Sequence, residues 1–79
     1  ELDLPDGAYA VCSDVTGTVW KLRVTPGQSV KNGDTLIIIE SMKMEVALTA
    51  PADAVVNKVC CKVGDYVAAG QLLLVLQAV

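Results

Sequence analysis

The sequence contains no histidine and no phenylalanine, and only three aromatic residues, Tyr9, Trp20 and Tyr66. Without histidine the commonest general base is missing, and Ser or Cys alone is a poor start for nucleophilic catalysis. A zinc site would depend on Cys12, Cys60 and Cys61, which are too few and badly spaced. Sparse aromatics argue against a base-stacking platform. Six Lys and Arg against nine Asp and Glu, a net charge of −3, argue against a basic nucleic-acid binder. Long apolar runs are also lacking. Leu36–Ile39 and Leu72–Leu76 fall far short of the ~20 residues a membrane-spanning helix needs, so no membrane partner is expected. An odd cysteine count without CxxC spacing is not a disulfide framework. A reducing, cytoplasmic setting is the expectation, and a mitochondrion or plastid would suit the same composition. Residue 1 is Glu and the first Met is Met42, which implies a processed chain or one excised from something longer; no signal-peptide pattern is visible.

What is present points to one small β domain over residues 1–79. Hydrophobic residues make up 53% and charged residues 19%, which excludes disorder. Val, Ile and Thr supply 21 of 79 residues, which favours strands. Turn signals recur at Pro5-Asp6-Gly7, Ser13-Asp14, Pro26-Gly27, Asn32-Gly33-Asp34, Pro51, Gly64-Asp65 and Gly70. They leave no room for an ordinary helix, so the fold class is an all-β sandwich or barrel.

An internal repeat organises the chain. Residues 17–40 and 54–77 align at a constant offset of 37, with identities Val19/Val56, Lys21/Lys58, Gly27/Gly64, Val30/Val67, Gly33/Gly70 and Leu36/Leu73. Two glycines per half keep the same spacing, as turns needing φ > 0 would require. Two half-domains closing one core are expected. Alternation places Trp20, Leu22 and Val24 on one face, with Lys21 and Arg23 on the other. In the second half Asn57, Val59 and Cys61 share a face opposite Lys58, Cys60 and Lys62. Cys61, equivalent to Val24, is expected in the core, and Cys60, equivalent to Arg23, near solvent.

Between the halves runs Glu40-Ser41-Met42-Lys43-Met44-Glu45, flanked by the apolar segments Leu36–Ile39 and Val46–Leu48. The natural reading is a β-hairpin with Lys43 at its tip. No Asn-Gly or Asp-Gly is there to make a tight turn. A two-residue turn of ordinary residues costs ~1–3 kcal/mol of backbone strain at each. Two exposed methionines are a second oddity, and broken local rules in a consistent sequence point to function.

Met42-Lys43-Met44, preceded by Glu40 and set between glycine-paired half-repeats, resembles the attachment motif of biotinyl (biotin carboxyl carrier) domains. The usual Glu-Ala-Met-Lys-Met is changed here only by Ser41 in place of Ala. Further departures are Ser13-Asp14-Val15-Thr16-Gly17, which lacks a common Pro, and Ala54 where Gly is frequent. The resemblance implies a flattened β-barrel or sandwich of two four-stranded sheets with pseudo-two-fold symmetry. The lysine would sit on a hairpin at one end and the termini at the other. No insertion lies between Ala8 and Trp20, so the domain resembles the thumbless type. The resemblance further implies biotin in amide linkage to Lys43, with Met42 and Met44 as recognition contacts. The partners implied are a biotin ligase presenting biotinyl-adenylate, a biotin carboxylase and a carboxyltransferase. The domain would be a carrier without a catalytic site of its own. Gly17-Thr18-Val19-Trp20-Lys21 is most similar to urea carboxylase (urea amidolyase) carriers. The alternatives are a lipoyl-type carrier, whose lysine is usually flanked by Asp and Ala, and an unmodified barrel acting as an interaction module.

Overall fold

The alternating apolar segments and the glycine turns produce eight short strands. The computed structural model describes residues 6–79, so Pro5 of the first expected turn lies outside the described residues. The strands are β1 (Ala8–Cys12), β2 (Gly17–Leu22), β3 (Ser29–Val30), β4 (Thr35–Ser41), β5 (Met44–Thr49), β6 (Ala54–Val59), β7 (Tyr66–Val67) and β8 (Leu72–Ala78). They form two four-stranded sheets, ordered β1-β8-β6-β3 and β5-β4-β2-β7, with every pairing antiparallel. Exchanging β1 with β5, β2 with β6, β3 with β7 and β4 with β8 turns one order into the other. The pseudo-two-fold therefore reaches beyond the two repeats to β1 and β5, residues 8–12 against 45–49, where only Ala10/Ala47 is identical. The molecule measures 36 × 27 × 17 Å. Its thin dimension suits two sheets packed about 10 Å apart with their outer side chains.

The core is shared almost pair by pair. Buried partners at the 37-residue offset are Val19/Val56, Val24/Cys61, Val30/Val67, Leu36/Leu73, Ile37/Leu74 and Ile39/Leu76. Each side chain faces the other sheet, so neither half closes a core without its mate. Both cysteines fall as their equivalents predict: Cys61 is buried and Cys60 exposed. Burial, then the charge of Asp65 and the neighbouring Cys60, push the Cys61 thiol pKa up.

Four turns of one design tie the halves together, over residues 25–28, 31–34, 62–65 and 68–71. Each has glycine third, at φ 88° (Gly27), 92° (Gly33), 96° (Gly64) and 89° (Gly70). A left-handed third residue with a bond closing first to fourth is a type II turn. The fourth residue, Gln28, Asp34, Asp65 or Gln71, accepts through its side chain from the first residue's N–H. The glycine N–H donates to the opposite half: Gly27 to Val56 carbonyl and Gly64 to Val19 carbonyl, both at 2.8 Å.

One expectation is corrected. Trp20 does not share the inward face of Leu22 and Val24; it is exposed. The β2–β4 register skips from Val19↔Ile39 to Lys21↔Ile38, so Trp20 is the extra residue of a β-bulge. The bulge resets the phase, so that Val19 and Val24 are both buried although they are five residues apart. Asn57 occupies the equivalent bulge between Val56 and Lys58 and is likewise exposed, away from the inward face of Cys61.

Candidate functional site

The site is built where β4 turns back into β5. The register Ile39↔Val46, Glu40↔Glu45, Ser41↔Met44 leaves Met42 and Lys43 alone in the connection. Both have positive φ, 51° and 66°, and are the only described non-glycine residues that do. Two successive left-handed residues make a type I′ turn, whose twist matches the strands it joins. Sequence reasoning thus anticipated both the hairpin and its strain. Lys43 stands exposed at the tip, flanked by Met42 at 92% exposure and Met44 at 67%. Neither methionine contributes to the core.

The base of the hairpin is anchored. Ser41 Oγ donates to the Thr16 carbonyl at 2.8 Å, and Thr16 Oγ1 accepts from the Ala69 N–H at 3.0 Å. The Ser41 hydroxyl, the one departure inside the motif, thus adds a bond that alanine would lack. Beside it, Gly17 is buried so closely under β4 that a Cβ there would collide with the Glu40 carbonyl oxygen. Sequence reasoning missed both contacts, because residues 16, 41 and 69 are brought together only by sheet pairing. Glu40 and Glu45 are exposed and directly opposite each other, the first charged pair below the tip.

The chain ends lie away from the lysine. β1 runs from Ala8 beside Gln77 to Cys12 beside Leu72. Residues 13–16 then reach the Thr16–Ser41 bond at the hairpin base, too short a link to hold an inserted thumb. The tip is therefore at one end of the sandwich and residues 6–8 and 78 at the other. Lys43 alone among the lysines occupies the centre of a turn. Lys31 and Lys62 open type II turns, Lys58 lies within β6, and Lys21 sits in β2 with its Nζ 4.9 Å from the Trp20 ring centre.

Residues 8–76 match the family described as biotin-requiring enzymes, the biotin/lipoyl attachment domain. Urea amidolyase of Lachancea kluyveri is 40% identical over 77 residues, 98% of this chain but only 4% of that protein. The crystal structure of Kluyveromyces lactis urea carboxylase superposes with a TM-score of 0.86 at 40% identity, covering 95% of this chain and 7% of that one. The lipoyl domain of the Azotobacter vinelandii 2-oxoglutarate dehydrogenase complex superposes with a TM-score of 0.71 at 33% identity, covering 80% of each chain. The chain therefore spans a small part of the carboxylases it resembles. With residues 8–76 matched by that family and the fold shared with its relatives, the chain belongs to the biotin-requiring, biotin/lipoyl attachment domains.

Proposed function

We propose that Lys43 is the single attachment point for biotin and that the domain carries carboxyl groups between two active sites. The observation that carries this reading is the Met42-Lys43 turn, in which two ordinary residues are held left-handed at an exposed tip. Such strain is retained where a defined presentation of the side chain matters more than stability. The residues present fit the cofactor: a primary amine at the tip, flexible methionines on either side, and open space around them. When bound, biotin supplies a ring nitrogen that accepts and releases a carboxyl group. The chain's own contribution is mechanical. The type I′ turn and the Ser41–Thr16 bond fix where the arm begins. Tethering makes each encounter intramolecular. Having the chain ends opposite the lysine leaves the tip free to enter a partner.

A biotin ligase, a biotin carboxylase and a carboxyltransferase are the partners this reading requires, in cytoplasm, mitochondrion or plastid. Urea carboxylation is the favoured host reaction, supported by the Gly17–Lys21 segment with its Trp20 and by the match over 98% of this chain to a urea amidolyase. Met42 and Met44 are the adaptable contacts by which partners recognise the tip. Met flanks, in place of Asp and Ala, favour biotin over lipoate.

Co-expression with biotin ligase and measurement of the intact mass tests the assignment. One biotin is expected on the wild-type chain and none on Lys43→Arg. A Lys43→Arg chain that still bound streptavidin, or a chain that took up lipoate in place of biotin, would refute it.

A further inference from the structure

The chain has two methionines, and they are the two neighbours of Lys43. The scaffold requires neither. At the 37-residue offset Met42 corresponds to Val79 and Met44 to Gly7, so the equivalent positions on the other sheet carry no sulfur. Pairing of Ser41 with Met44 and the left-handed backbone at Met42 keep both residues at the tip. Met42 is 92% exposed and Met44 67%. The core cluster is built from Val, Leu, Ile, Ala and Cys61 and contains no methionine. Every thioether of the chain therefore stands in water, outside the core, beside the lysine.

A thioether so placed is open to a dissolved oxidant. Resting on the carrier reading above and on the recognition role given there to the methionines, we propose that Met42 and Met44 are reversible oxidation sites for peroxide, and that their sulfoxides shut off loading of Lys43 without unfolding the domain. In the forward step the thioether sulfur attacks one oxygen of hydrogen peroxide. An S–O bond forms, the O–O bond breaks, and the second oxygen leaves as water; sulfur is oxidised by two electrons and peroxide is reduced by two. A methionine sulfoxide reductase reverses the change: two thiols become a disulfide and the oxygen leaves as water. The sulfoxide is polar where the thioether was apolar and adaptable, so it removes the apolar contact that a partner makes with the tip. Lys43 keeps its amine, so the loss lies in recognition and not in the acceptor atom. Methionine oxidation commonly damages proteins by disrupting their cores. Here the core holds none, and the oxidation state of the tip acts on recognition alone.

The test treats the unmodified 79-residue chain with hydrogen peroxide, because biotin carries a thioether of its own. The exposed thiols of Cys12 and Cys60 are the competing targets. The thiolate is their reactive form, so oxidation in mild acid spares them, whereas a thioether has no proton to lose. Peptide mass mapping should find one added oxygen on Met42 and one on Met44. With biotin ligase, ATP and biotin, the initial rate of biotinylation at low chain concentration should then fall about tenfold, the loss of one buried methionine contact. Sulfoxide reductases for both epimers should restore the rate to within twofold. The urea midpoint should not move. In the Met42→Leu/Met44→Leu chain, peroxide should leave that chain's own rate unchanged. An undiminished rate for the doubly oxidised wild-type chain overturns the proposal. So does an equal loss in the Leu variant, which would assign the effect to the thiols, or a loss accompanied by a lower midpoint, which would assign it to unfolding. Failure of the untreated chain to accept biotin would instead overturn the carrier reading.

Discussion

Met42→Asn should make the domain more stable while making it a worse substrate. Met42 is held at φ 51°, where an ordinary L-residue pays about 1–2 kcal/mol and Asn pays much less. Little opposes this relief. Fully burying a Met side chain contributes roughly 1.5–3 kcal/mol, and Met42 is 92% exposed, so losing it forfeits only ~0.2 kcal/mol. The expected gain is about 1 kcal/mol, which raises Tm by roughly 4–8 °C in a domain of this size. Met42→Gly should gain less, because glycine also loosens the unfolded chain. Met42→Asn with Lys43→Gly creates the preferred Asn-Gly turn and should approach ~2 kcal/mol, less any coupling between neighbours. Urea denaturation with an unchanged slope is the appropriate measurement. A Met42→Asn midpoint equal to or below wild type would refute the claim that the turn stores strain. Under the recognition role proposed for Met42, biotinylation and carboxylation should fall in the same variant, because the exposed thioether gives no structural support; stabilisation at the expense of function is a common pattern.

Gly33→Val and Gly70→Val should each destabilise by more than ~1 kcal/mol. A Cβ at either site has nothing within 4 Å, so the cost lies in φ alone and Gly33→Asn should recover most of it; equal midpoints for wild type and both Val variants would dismiss the paired turns. Gly17→Ala should cost about 1–3 kcal/mol through overpacking, and the Glu40 amide should shift in NMR spectra as β4 is pushed away; an undisturbed β4 would argue against the close approach. Because the folded pKa of Cys61 is raised, the neutral thiol is favoured on folding. Its stabilising effect is complete below the ordinary thiol pKa and is lost as pH rises through the raised folded value. Denaturation midpoints should therefore fall above about pH 9, and Cys61→Val, copying Val24, should flatten that fall; an equally steep decline in the variant would assign it to other groups.

The sequence alone determined the all-β class, the two halves, the tip lysine, and which of the adjacent cysteines is buried. Each of these rests on local physics: alternation of side chains, glycine where φ must be positive, and a repeat whose equivalent positions share an environment. The sequence also showed that the Met-Lys-Met turn breaks a rule, because turn chemistry is legible four residues at a time. Trp20 was misplaced because strict alternation cannot register a bulge. Its mismatch with Asn57 at the same repeat position was the available signal that the site faces solvent. The extension of the two-fold to β1 and β5 was hidden, since a single identity, Ala10/Ala47, marks it. Only the tertiary structure decided that Thr16, Ser41 and Ala69 lock the hairpin base, that Gly17 lies bare beneath Glu40, and that Glu45, Glu40, Thr18 and Tyr66 form one row. These neighbours are separated by up to 53 residues along the chain. Strand register, set by burial of the opposite faces and by bulges at Trp20 and Asn57, is what brings them together.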